Sequence, residues 1–90
     1  MKIDKYNSSY FKSFVKLIDK CFLLKNKNKE QLVNWKFFSK VFDHKNKIIC
    51  VYDKDKIVAQ YSNIAFEFII NSKIVKWYLC QDMCVLKEYR

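Results

Sequence analysis

The chain has 90 residues, of which 51% are hydrophobic and 18% aromatic, so it can form one small domain with its own core and is too apolar for a disordered chain. Its formal net charge of +9 allows an anionic partner, but Arg90 is the only arginine, and glycine and proline are absent. That composition is typical of an AT-rich coding sequence. Because arginine is the usual reader of bases and phosphates, the charge alone is weak support for nucleic-acid binding.

The cysteine pattern argues against a zinc site. Cys21, Cys50, Cys80 and Cys84 form no Cys-x-x-Cys pair, and His44 is the only histidine, so no metal site is expected. Cys80 and Cys84 are predicted to share one face of a strand about 13 Å apart, which is too far for a disulfide. All four are predicted to be buried free thiols in a reducing cytosol. The polar first ten residues carry no secretory signal, and no apolar run is long enough to span a membrane.

The first half of the chain predicts a short strand and two helices. Lys2 to Tyr6 is the candidate strand, and Asn7-Ser8-Ser9 supplies helix N-cap residues. A helix from about Ser9 to Phe22 follows from one apolar stripe at spacings of three and four, formed by Phe11, Phe14, Val15, Ile18, Cys21 and Phe22. After a polar break, a second helix is predicted from Lys29 to Lys40. Its inner stripe is Leu32, Trp35 and Phe38, and Trp35, Lys36 and Phe37 are assigned to the core in preference to a ligand pocket.

The second half of the chain predicts an antiparallel meander. Strands are indicated at Lys47–Tyr52, Ile57–Ser62 and Ile74–Val85, and Asn63–Ile70 continues the second of them after a bend or bulge near Asn63. Turns are predicted at Asp53–Lys56 and at Asn71–Lys73, where Asn71 can adopt left-handed backbone angles. The expected fold class is α+β, with two N-terminal helices packed on an antiparallel meander sheet and residues 1–90 forming a single partial domain.

This order of elements, with the residues at its end, resembles the first half of the GNAT superfamily of acyl-CoA-dependent N-acetyltransferases. The last strand of the family's meander enters an acyl-CoA loop of the form V-x-P-x-[YF]-R-G-x-G. Cys84 to Arg90 is similar to its opening, with Val85, Tyr89 and Arg90 in place and with Leu86 and Lys87 where the family has other residues. The segment from Lys56 to Ser62 looks like the family's G-K-I-V-G strand, with Asp55 and Ala59 where glycines usually stand.

The resemblance implies a fold, a cofactor and a set of site residues. In these enzymes a splayed or bulged strand offers free backbone N–H groups to acetyl-CoA, which by position are those of Met83, Cys84 and Val85. Arg90 would begin the loop that holds the diphosphate. Asp82 is the candidate general base or substrate-orienting group, with Glu67 as a second choice. Cys80 and Cys84 are poor candidates for a nucleophile because no histidine is close in sequence.

Three functions stay open on the sequence. The preferred one is the N-terminal half of an N-acetyltransferase, cut at the start of the acyl-CoA loop, located in the cytoplasm and inactive alone, with an unknown amine substrate. A basic nucleic-acid module would use Tyr61, Phe66, Phe68, Trp77 and Tyr78 as stacking residues on a solvent-facing sheet. An interaction protein would pair Ile74–Val85 with a partner strand or with a second copy in a homodimer.

Overall fold

The computed structural model describes residues 1–25, 27–39 and 46–90, and they form an α+β fold. Its N-terminal elements are strand β1 (Lys2–Lys5), helix α1 (Phe11–Phe22) and helix α2 (Lys29–Val33), which continues as a π-helical turn over Asn34–Phe38. Strands β2 (Lys47–Asp53), β3 (Lys56–Ile70) and β4 (Lys73–Val85) follow, and then a 3-10 turn (Lys87–Tyr89). The four described strands form an antiparallel sheet in the order β1-β2-β3-β4, which confirms the predicted fold class.

Helix α1 supplies most of the helical contribution to the core. Asn7 caps a 3-10 turn at Ser8–Tyr10, where its side-chain oxygen accepts a hydrogen bond from the Ser9 amide at 2.9 Å, and the α-helix then begins at Phe11. Phe14, Val15 and Ile18 of the predicted apolar stripe are buried against the sheet. Leu17, which the predicted stripe did not include, is buried with them, whereas Phe22 at the end of the stripe is 44% exposed. Leu23 ends the helix with a left-handed φ of 51°. None of the described helices is long and apolar enough to cross a membrane.

The predicted inner stripe of the second helix is wrong at Trp35. Trp35 is 71% exposed, whereas Phe37 is 1% exposed and lies in the core. The cause is the π-helical turn over Asn34–Phe38, because its i→i+5 hydrogen bonding widens the turn and shifts the side chains out of the 3.6-residue phase. Ser39 is already extended, with ψ of 132°, and the predicted end at Lys40 lies outside the described residues.

Both predicted turns of the meander are confirmed. The β2–β3 hairpin turns at Lys54 and Asp55, with φ of 55° at Lys54. The β3–β4 hairpin turns at Asn71 and Ser72, whose φ angles are 51° and 64°. Two consecutive positive φ angles match the twist of the flanking strands in a two-residue hairpin. Strand β3 is continuous through Asn63. The irregularity predicted near Asn63 lies in the paired strand β4.

Strand β4 contains a bulge at Gln81. Ser62 pairs with Asp82 while Asn63 pairs with Cys80, so Gln81 has no counterpart on β3. One extra residue reverses the alternation of side chains between the two faces. Cys84 consequently points toward the helices and is 8% exposed, whereas Cys80 lies on the opposite face and is exposed. The prediction that Cys80 and Cys84 share a face is therefore wrong, as is the prediction that Cys80 is buried, although all four thiols are free.

The two faces of the sheet differ in how far they are covered. On the face toward α1, Ile48, Cys50 and Tyr52 alternate into the core with at most 8% exposure. The opposite face, called the outer face below, carries Ile49, Tyr61 and Met83 as register neighbours. Their side chains are 41%, 40% and 69% exposed. The ninety residues therefore bury one apolar face of the sheet and expose another.

Candidate functional site

The end of β4 directs backbone amides toward an unpaired edge. Among the described strands β4 pairs with β3 only, and the Leu86 amide donates to the Val58 carbonyl at 2.9 Å. Alternate residues of a strand direct their N–H groups to opposite sides, so the Cys84 amide also faces β3. The amides of Met83 and Val85 then face the free edge, directly after the bulge. Such an edge presents hydrogen-bond donors that an extended ligand can take up.

Asp82 contacts a primary ammonium group. Its side chain is 13% exposed, and the Nζ atom of Lys36 lies 2.9 Å from Oδ2. No donor among the described residues reaches Oδ2 with hydrogen-bond geometry, so the contact is an ion pair. Lys36 Nζ also lies 5.7 Å from the ring centroid of Phe22 and 5.3 Å from that of Phe37, close enough for cation–π attraction. Asp82, Phe22 and Phe37 thus surround a single ammonium group.

A row of buried polar groups adjoins Asp82 on the helix-facing side. Ser62 and Gln60 are 0% and 3% exposed. The Ser62 hydroxyl donates to Gln60 Oε1, and Gln60 Nε2 donates to Cys84 Sγ at 3.5 Å. Because each group has a partner, the row is stable inside the core. Gln60 and Ser62 were not among the residues selected from the sequence, although two polar residues at alternate positions of an otherwise apolar strand can indicate a buried polar group.

The Cys84 thiol is unsuited to nucleophilic catalysis. Its pKa is raised to about 12, mainly by burial and to a lesser extent by the nearby Cys21 thiol and Asp82 carboxylate, against a lowering contribution from Gln60. A thiol acts as a nucleophile in its thiolate form, which this environment suppresses. Cys21 donates its Sγ hydrogen to the Val85 carbonyl at 3.7 Å. These contacts indicate a packing role for both cysteines.

The residues after β4 fold back on the sheet. Arg90 Nε donates to the Val85 carbonyl at 3.0 Å, and the Arg90 side chain is exposed. Tyr89 donates its hydroxyl hydrogen to Asp53 Oδ2 at 2.5 Å, and Lys56 Nζ lies 5.3 Å from its ring centroid. The hydrogen bond to Asp53 is the main cause of the raised pKa of Tyr89. This turn places Arg90 beside the free edge near Val85.

The structure brings most of the sequence-selected residues together. Asp82, Met83, Cys84 and Val85 form one continuous segment, and Arg90 contacts its end. Glu67 is not part of this group. It lies on β3 opposite Lys76, five residues beyond Ser62, which is about 17 Å from Ser62 at the usual rise of a strand. Met83 differs from Asp82 and Cys84 in that its side chain lies on the outer face.

The aromatic residues of the nucleic-acid hypothesis do not share a face. By alternation along β3, Phe66 and Phe68 lie on the side of Ser62, together with Trp77, the register partner of Phe66. Tyr61 and Tyr78 lie on the outer face, since their register partners are Met83 and Ala65. A stacking platform requires its rings on one accessible surface. The structure therefore gives this hypothesis no support.

A comparison with known protein families supports the described fold. A family model described as an acetyltransferase (GNAT) domain matches residues 2–90. No curated protein and no solved structure matches the chain. The matched range of the family model includes every described element, from β1 to the 3-10 turn that precedes Arg90. The chain therefore belongs to the GNAT acetyltransferase domain family.

Proposed function

We propose that this chain contributes the acyl-CoA side of an N-acyltransferase site, in which an acyl group passes from acyl-CoA to a primary amine. The observation that carries the proposal is the pair of free-edge amides, Met83 and Val85, next to the bulge at Gln81. Two N–H groups on one side of an extended strand suit the amide-bearing pantetheine chain of coenzyme A. A donor at the thioester oxygen stabilises the charge that develops there during transfer.

Acyl transfer requires the protein to hold the acyl donor, to attract its diphosphate and to orient the acceptor amine. The acceptor nitrogen, once deprotonated, attacks the thioester carbonyl carbon, the carbon–sulfur bond breaks, and coenzyme A leaves as a thiol after taking a proton. Met83 and Val85 would hold the acyl donor, and Arg90 would contribute positive charge toward the diphosphate. Asp82 would orient the amine. Support for that role is the contact between Asp82 and Lys36, because a lysine ammonium is chemically the same group as a primary amine acceptor.

We further propose that these ninety residues are the N-terminal part of the site and are inactive by themselves. Two features support this. The outer face keeps Ile49, Tyr61 and Met83 exposed, and no strand of the described sheet covers the edge of β4, so solvent there weakens electrostatic contacts. A preorganised site that excludes water needs a second layer over this face. We expect weak acetyl-CoA binding and no turnover from the chain alone.

The test is an acetyl-CoA titration of the purified chain, followed by backbone amide NMR and by thermal unfolding. We expect no stabilisation at micromolar acetyl-CoA, and chemical-shift changes at millimolar acetyl-CoA that are largest for the Met83 and Val85 amides. Adenosine 3′,5′-bisphosphate is the control, because it carries the phosphates without the pantetheine chain and reports attraction to lysines only. Equal effects of the two ligands on Met83 and Val85, or no effect of millimolar acetyl-CoA, would contradict the proposed function.

A further inference from the structure

The β3–β4 hairpin extends beyond the helices as an apolar arm. The arm comprises residues 64–79, on the far side of the bulge at Gln81. Its most exposed side chains include Ile69, Ile74 and Trp77, at 79%, 68% and 55%. On the face shared with the helices, Val75, Trp77 and Leu79 alternate along β4 and pair with apolar residues of β3. The arm therefore combines an apolar face with a strand that is hydrogen-bonded on one side only within the described sheet.

The surface of the chain is too large for a compact monomer of its mass. The accessible surface is 6936 Å², whereas a compact monomer of this mass exposes about 5,600 Å². The radius of gyration is 14.4 Å, against about 12 Å expected for this length. The excess is about 1,300 Å², and a specific interface of standard size buries about 800 Å² of each partner. The chain thus exposes enough additional surface for one such interface.

We propose that a second copy of this chain pairs with the arm, edge to edge through β4, in an antiparallel two-fold dimer centred on Trp77. The two-fold axis would stand perpendicular to the sheet, so the side chains that share a face in one copy meet the same face of the other. Trp77 then lies opposite Trp77 of the second copy, and Val75 lies opposite Leu79. The two apolar faces become continuous, and the β4 edges, which carry no further strand within the described sheet, form hydrogen bonds with each other.

Charge favours the register centred on Trp77 over the neighbouring register centred on Lys76. Centring on Lys76 would place the two Lys76 side chains directly opposite each other, which is unfavourable across strands. Centring on Trp77 places Lys76 opposite Tyr78. The arm carries only Lys73, Lys76 and Glu67 as charged residues, and Glu67 pairs with Lys76 within one copy. Most of the net charge of +9 therefore lies outside the interface.

The bulge limits the length of the intermolecular contact, and the two-fold symmetry limits the assembly to two copies. Because Gln81 interrupts regular pairing, the intermolecular strand would run from Ile74 to Cys80 and leave Met83 and Val85 accessible. A two-fold contact uses the same surface on both copies and adds no third. The dimer is therefore independent of acyl-CoA binding, and its failure would leave the proposed function untouched.

The test measures the mass of the full chain by light scattering and sedimentation across a wide range of protein concentrations. We expect a concentration-dependent transition from 11.0 kDa to twice that mass. Trp77→Lys sets two like charges opposite each other at the axis and should leave a monomer throughout that range. Ile69→Lys is the matched control, because Ile69 is exposed on the same arm but lies on β3, the strand that the proposed pairing does not use, and this variant should still form dimers. Circular dichroism of both variants establishes that they are folded.

The remaining outcomes overturn the proposal. A monomer at every concentration would show that the β4 edge is left for a different polypeptide or for other residues of a longer chain. Masses that grow without limit would indicate open-ended association in place of a two-fold contact. Retention of the dimer in Trp77→Lys, or its loss in both variants, would show that the Trp77-centred pairing is wrong.

Discussion

The bulge at Gln81 can be tested through the reactivity of the two cysteines that flank it. Burial raises the pKa of Cys84 from an ordinary 9.0 to about 12, which at pH 8 leaves about one thiolate in 10,000, a thousandfold fewer than an unperturbed thiol has. Cys84 is also 8% exposed, whereas Cys80 is exposed on the other face. Because alkylation requires both thiolate and access, and the environment of Cys84 limits both, Cys80 should react with iodoacetamide at least about tenfold faster than Cys84.

The assay is a time course of alkylation of the folded chain, with peptide mapping of each cysteine by mass spectrometry. Cys80→Ser should remove the rapid site, and Cys84→Ser should leave it unchanged. In denaturant the two rates should become similar, since the difference comes from the folded environment. Alkylation of Cys84 within tenfold of Cys80 in the folded chain would refute the bulge, because a strand without it would place both thiols on one face.

Three further predictions concern stability. Burial raises the folded-state pKa of Cys84 to about 12 and that of Cys50 to about 11. The protonated thiols therefore favour the folded state below pH 9, and the free energy of unfolding falls as the pH rises above 9. Urea unfolding should show a free energy about 2–3 kcal/mol lower at pH 10 than at pH 8, and substituting both by Ala should flatten this dependence. Phe14→Ala should lower the free energy of unfolding by about 3–5 kcal/mol, because Phe14 is 0% exposed. Phe22 lies on the same helix but is 44% exposed, so Phe22→Ala should lower it by under about 1 kcal/mol. Equal losses in the two variants would contradict the assigned core. Ser72→Gly should stabilise the chain by about 0.5–1 kcal/mol in thermal or urea unfolding, because Ser72 has a φ of 64° that glycine adopts at lower cost, and a destabilised variant would contradict the described turn.

The contact between Lys36 and Asp82 bears on how an acceptor would enter. Lys36 Nζ already lies 2.9 Å from the Asp82 carboxylate, and Lys36 is partly exposed, so an incoming amine would compete with an internal one. Replacing Lys36 would leave Asp82 with an uncompensated charge at low exposure. If Asp82 orients the acceptor, Lys36 would be a built-in competitor for the same carboxylate, because the π-helical turn over Asn34–Phe38 brings Lys36 to the end of β4.

Local chemistry made several features predictable from the sequence. The apolar stripe of α1 follows from spacings of three and four, and Asn7 marks its entrance. The polar residues between apolar runs located both hairpin turns, and Asn71 supplied the left-handed angle. Asp82 to Val85 and Arg90, which the family resemblance selected as candidate site residues, lie close together in the structure. These features depend on residues close in sequence, where periodicity and backbone preference are sufficient.

Other features depended on distant parts of the chain. The sequence by itself determined the α+β order of elements, the turns and the segment that carries the candidate site. Only the tertiary structure decided that Gln81 is an extra residue in β4, because register is a property of two strands and a slip of one residue moves side chains to the other face. It also decided that Phe37 and not Trp35 enters the core, and that Lys36 meets Asp82. Such contacts join residues far apart in sequence, and their geometry is set by packing that local preferences do not contain.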